Sequence, residues 1–134
     1  MSTIRKVCIG YFIALLIAAS LNYIPGLTDE KGRTFGIFAL DLFDDGLHLV
    51  SALWALSAAL ISHRSARIFL TYFGAAYLLD GLIGVYAGSG ILDFGIFQYG
   101  VLDQSLTLNL LSSVPHLALG GIALLSVWIW GNRA

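Results

Sequence analysis

Asp41-Leu42-Phe43-Asp44-Asp45-Gly46-Leu47-His48-Leu49 returns later in the chain as Asn109-Leu110-Leu111-Ser112-Ser113-Val114-Pro115-His116-Leu117. In both stretches polar residues stand seven, four and three places before a histidine. An Ala-Leu pair then follows each at the same distance, Ala55-Leu56 and Ala123-Leu124. The runs upstream align as well, with Arg5, Ala14, Leu16 and Gly26 falling over Arg67, Ala76, Leu78 and Gly88. The chain therefore reads as one helical hairpin written twice, about 1–63 and 64–134, within a single domain spanning 1–134. The second helix of each copy opens on a polar, histidine-bearing turn.

Composition says where such hairpins belong. Hydrophobic residues make up 58% of the chain, charged ones only 11%, and mean hydropathy is +0.86. A water-soluble domain carries about 25% charged residues, because its surface has to face water. A helix needs roughly 20 mainly apolar residues to cross a hydrocarbon core. Stretches 7–24, 43–62, 67–87 and 113–130 meet that need. The expected fold is thus an all-α membrane protein, a four-transmembrane-helix bundle of two parallel repeated helical hairpins, with the lipid bilayer as its first partner. The net charge of −1 offers no basic face for phosphates and excludes nucleic acid as a partner. Cys8 is the lone cysteine, so neither an intrachain disulfide nor a cysteine metal motif can form.

Local signals mark the helix ends. Pro25-Gly26 stops the first span, since proline breaks the backbone ladder and glycine accepts the turn. Ser62-His63-Arg64-Ser65-Ala66 leaves room only for a tight antiparallel connection between the second and third spans. Pro115 is expected in the first turn of the fourth span, where its missing N–H is harmless, with Ser112 or Ser113 as the cap. Arg5-Lys6, an apolar core and Ala18-Ala19-Ser20 resemble a secretory signal. The partner of this first span in the internal repeat argues instead that it is retained.

Charge placement predicts the orientation. Arg5, Lys6, Arg64, Arg67 and Arg133 flank one set of helix ends, against Lys31 and Arg33 at the other. Basic residues stay cytoplasmic, so both termini are expected to face the cytoplasm. Asp29, Glu30, Asp41, Asp44, Asp45, Asp93 and Asp103 then lie at the outer side. The second long connection carries Ile91, Leu92, Phe94, Ile96, Phe97, Tyr99 and Val101, too apolar to hang in water. It is expected to lie along the membrane surface or to plug the top of the bundle. Phe35, Phe38 and Phe43 suit the same role in the first connection.

The candidate polar or ion site follows from helical spacing. Residues seven, four and three before each histidine share its face at 3.6 residues per turn. That face carries Asp41, Asp44, Asp45 and His48 in one copy, and Asn109, Ser112, Ser113 and His116 in the other. Asp80 lies inside the third apolar span, where a carboxyl must face the interior and find a partner, His48 or His116. The leading expectation is that this layer is structural: acids at a helix N-terminus are favourable through capping and the helix dipole alone. The chain would then serve as an accessory or interaction subunit, in a homo-oligomer or a larger membrane complex. The second reading is ion or proton handling by Asp80, His48 and His116. The third uses His48 and His116 as ligands of a haem or divalent metal. No motif demands a cofactor. No nucleophile triad, phosphate loop or HExxH pattern occurs, so an enzyme is not expected. Ala14, Ala18, Ala19, Gly74, Ala75, Gly81, Gly84 and Gly120-Gly121 are expected to let helices approach closely.

Several short motifs carry a family resemblance. They are Asn22-Tyr23-Ile24-Pro25-Gly26-Leu27-Thr28, Phe35-Gly36-Ile37-Phe38, Asp44-Asp45-Gly46-Leu47-His48-Leu49, Ala66-Arg67, Gly74-Ala75-Ala76-Tyr77, Asn109 and His116-Leu117-Ala118-Leu119-Gly120. Together they resemble a family of small bacterial four-helix membrane proteins known only as a domain of unknown function. That family has a histidine-asparagine pair where this chain has Asp44-Asp45, and an aspartate where Ser112 stands. The resemblance implies a bacterial inner-membrane protein and no particular activity.

Overall fold

Ser62 alone separates the second and third long helices: its side chain accepts from the Ser65 N–H at 3.0 Å and caps the helix that begins at His63. The computed structural model describes residues 1–38, 42–92 and 94–133. They form α1 (Thr3–Ser20), α2 (Leu42–Ile61), α3 (His63–Ala87), a short α4 (Gly95–Tyr99) and α5 (Leu106–Trp130). A 3₁₀ turn, Leu21–Tyr23, extends α1. Ile24 then turns extended (φ −90°, ψ 121°), as the residue before a proline must.

α1, α2, α3 and α5 are each long and apolar enough to cross a membrane. Their outward faces carry large apolar side chains in the open, among them Ile17, Val50, Leu60, Tyr72, Leu82 and Ile122. Such a surface suits hydrocarbon and not water.

α1 packs chiefly on α2, and α3 chiefly on α5. The first interface is an aliphatic stripe, Ile4, Cys8 and Leu15, against the fully buried alanines Ala52, Ala55 and Ala59. The second is closer. A Cβ added at Gly120 would sit 2.8 Å from the Leu78 Cα, and one at Gly81 2.7 Å from Leu117. Glycine is required at both because the helix backbones nearly touch. Gly74 and Gly84 face α5 in the same way, whereas Gly121 faces open space and Ala14 and Ala75 are exposed. The small-residue expectation therefore holds for the α3–α5 seam and fails at those three. Between the pairs runs an aromatic column: Trp54 meets Phe69 at 4.9 Å, Phe69 stacks on Phe73 at 4.9 Å, and Phe73 on Tyr77 at 3.9 Å.

Two expectations at the last helix are corrected. It starts at Leu106, not near 113, and its cap is Ser105, whose Oγ accepts from the Leu108 N–H at 3.2 Å. Pro115 is consequently inside α5 and not in its first turn. Asn109 and Ser113 are buried on the α3 side, so the helix continues through this polar stretch where packing rewards it. An interior proline is tolerated in apolar helices because neighbouring groups satisfy the freed backbone. α3 likewise starts four residues earlier than the 67 read from apolarity, because Ser62 caps it.

Candidate functional site

Asp80, well inside α3 and only 4% exposed, organises the end of the bundle that carries the two long connections. Its Oδ1 accepts from the backbone N–H groups of Ile91 at 2.8 Å and Leu92 at 2.9 Å. Its Oδ2 pairs with Nδ1 of His116. The second connection therefore dips back between the helices to meet a carboxylate instead of lying over their ends. Gly90 makes this possible, since any Cβ there would overlap the Asp80 carboxyl group. Gly88 ends α3 in the left-handed region (φ +75°), and Leu102 N–H returns to the Ala87 carbonyl at 2.7 Å.

Asn109 secures the same connection from α5. Its Nδ2 donates to the Val85 carbonyl at 3.2 Å, and its Oδ1 accepts from Gln104 Nε2 at 2.7 Å. In the first connection, Tyr23 donates its phenolic hydrogen to Asp45 Oδ2 at 2.8 Å, fastening the end of α1 to the first turn of α2. The hydrogen bond to Asp45, and then its negative charge, hold the Tyr23 phenol above its ordinary pKa. Phe43, in the first turn of α2, meets Phe94 of the second connection edge to face at 5.7 Å.

His48 and His116 face each other edge to face, ring centroids 6.1 Å apart. His116 also lies 4.9 Å from the Tyr77 ring, and the Tyr77 hydroxyl is 3.2 Å from Ser51 Oγ. A carboxylate can only accept, so Nδ1 of His116 carries the proton between it and Asp80, which leaves Nε2 as the ring's other polar atom. Asp44, His48, Asp80 and His116 line one cavity of about 440 Å³. Arg33 and Phe38 line it from the first connection, and Ser89, Gly90, Tyr99 and Gln104 from the second.

Most of the residues singled out by spacing thus come together: Asp44, His48, Asp80 and His116 in the cavity wall, Asn109 on α5 bonded to the connection beside it, and Asp45 turned to Tyr23. Asp41 and Asp93 lie outside the described residues. Of the two partners offered to Asp80, the structure selects His116. Sequence reading missed Tyr77, Ser51, Arg33 and Gly90. Tyr77 precedes Asp80 by three residues and Ser51 follows His48 by three, so helical periodicity was signal enough for those two. Nothing in sequence marked Gly90. It also missed His63, at the opposite end of the bundle. There Nε2 donates to the Gly131 carbonyl at 2.7 Å and Nδ1 meets Ser2 Oγ at 2.8 Å, tying both chain ends to the start of α3. Arg5 adds bonds to the carbonyls of Ala59 at 2.7 Å and Leu60 at 3.0 Å.

Among the described residues, no three His, Cys, Asp or Glu side chains are grouped to hold a metal ion. His48 and His116 are the two imidazoles near enough to share a ligand. Fold and site together define an all-helical bundle with four helices of membrane-spanning length and a polar, half-buried end. Compared with protein-family models, with curated proteins and with solved structures, the chain matches none.

Proposed function

We propose that this chain is an integral protein of a bacterial inner membrane, of the small four-helix kind it resembles, acting as an accessory or interaction subunit whose His/Asp layer is structural. The observation that carries this reading is Asp80: both carboxylate oxygens are engaged, one by two backbone N–H groups of the second connection and the other by His116. Such a group pins a connection into the bundle. Its partners would be other membrane subunits or further copies of the chain, met through the apolar outer faces.

The same reading has both termini facing the cytoplasm, and it is supported by Arg5, Arg64, Arg67 and Arg133 at the end of the bundle where the termini meet. The duplicated-hairpin origin draws support from two contacts: each first helix packs mainly on its own second helix, and the repeat-related His48 and His116 touch.

A second reading, proton or ion handling by Asp80, His48 and His116, is favoured by one observation: all three line the same cavity. Asp80→Asn separates the two. The amide keeps an acceptor for Ile91 and Leu92 and, with His116 in its Nε2–H tautomer, a donor to Nδ1, but cannot ionise. For a structural layer, thermal unfolding in detergent changes little, whereas Asp80→Ala lowers stability by about 3–5 kcal/mol by stranding the buried partners. For proton or ion handling, Asp80→Asn keeps the fold and removes pH-dependent flux from proteoliposomes. If Asp80→Ala is as stable as the parent, the pinning role is wrong.

A further inference from the structure

We propose that the cavity binds a small, uncharged hydroxy-aromatic molecule of the hydroquinone type, its hydroxyl received by Nε2 of His116. This goes beyond the accessory reading and does not rest on it. The cavity, at about 440 Å³, falls in the range of roughly 300–1,000 Å³ that holds small organic ligands. Four rings contribute to its wall, Phe38, His48, Tyr99 and His116. Aromatic walls favour an aromatic guest through edge-to-face and offset contacts.

The polar chemistry narrows the class. Asp80 fixes the orientation of the His116 ring by accepting the hydrogen bond from its Nδ1–H. No described residue hydrogen-bonds Nε2. A carboxylate behind an imidazole fixes the tautomer and turns the far nitrogen to the next partner, as it does in histidine ligands backed by carboxylates. Neutral His116 accepts from an aromatic O–H at Nε2; protonated, it donates from the same nitrogen to a carbonyl. One nitrogen therefore matches the hydroxyl or the carbonyl form of such a ring.

Charge disfavours ions. The acids among the described wall residues, Asp44 and Asp80, share the wall with Arg33 and the two histidines, so neither sign dominates. A neutral guest enters without losing an ion's hydration. The bonds from the Ile91 and Leu92 N–H groups to Asp80 hold Ser89 and Gly90 in the cavity wall, so that this side of the site is formed before the guest arrives.

The test uses the full chain in lipid nanodiscs, titrated calorimetrically under argon with a decyl-tailed hydroquinone and with the same molecule methylated on both hydroxyls. Saturable one-to-one binding of the free hydroquinone is expected, at least ten-fold weaker for the dimethyl ether. His116→Gln should weaken hydroquinone binding at least ten-fold, and Leu119→Trp, which narrows the cavity, should remove saturable binding. Equal binding of hydroquinone and ether overturns the proposal. So does unchanged affinity in His116→Gln, unchanged affinity in Leu119→Trp, or uptake no greater than in empty nanodiscs. Should either variant fail to fold, the parent's ten-fold preference, or its lack, decides alone.

Discussion

Tyr23 is largely exposed, yet its hydroxyl is tied to a buried acid on the next helix, and that tie can be read by titration. The carboxylate beside it raises the phenol's pKa, the hydrogen bond first and the charge second. Because the folded-state value lies above the ordinary phenol value of about 10, the tie is intact below that range. It is lost only as pH rises through the raised value. The absorbance difference between the parent and Tyr23→Phe should therefore ionise late, and in an Asp45→Asn background it should return toward the ordinary phenol range. A Tyr23 that titrates normally beside an intact Asp45 would remove this fastening. Asp80 is the deeper counterpart: its position inside an apolar helix announced a buried carboxyl, but its backbone partners lie eleven and twelve residues downstream, where no periodicity points.

Elements meet through two kinds of seam, and they should fail differently. α1 and α2 touch through alanines; α3 and α5 touch through glycines with the backbones nearly in contact. Gly120→Ala should cost about 1–3 kcal/mol, the range for overpacking a filled interior. Its neighbour Gly121 faces open space, so Gly121→Ala should leave stability unchanged. Thermal unfolding of both variants in one detergent checks the pair; equal melting temperatures would mean the α3–α5 seam is looser than described. The two substitutions are adjacent in sequence and identical in chemistry. Only the face of the helix distinguishes them.

At the scale of the molecule the two ends of the bundle differ in chemistry. One is basic and laced by His63, Arg5 and Arg67, which bonds Asn132 Oδ1 at 3.1 Å. The other is acidic and carries the cavity and both long connections. Single cysteines at Asn132 and Lys31 should respond oppositely to an impermeant maleimide added to intact cells: Lys31→Cys labelled, Asn132→Cys protected until the membrane is opened. Cys8 is buried and stays silent in both. Labelling of Asn132→Cys from outside would reverse the orientation.

Apolar length and charge scarcity were legible without coordinates, because a chain cannot hide four such runs from water in any other way than as helices in a bilayer or a core. The polar face around each histidine was also within reach, since helical spacing puts His48 near Asp44 and His116 near Asn109 and Ser113, but that the two rings meet was not. Helix starts were not, because a cap such as Ser62 or Ser105 acts through one local hydrogen bond that leaves apolarity unchanged. Which histidine takes Asp80, the return of residues 89–92 to that carboxylate, and the cavity they roof were decided by tertiary structure alone. The physical reason is that a buried carboxylate accepts whichever donors packing delivers, and here the bare Gly90 and the close α3–α5 seam deliver His116 and a loop backbone together.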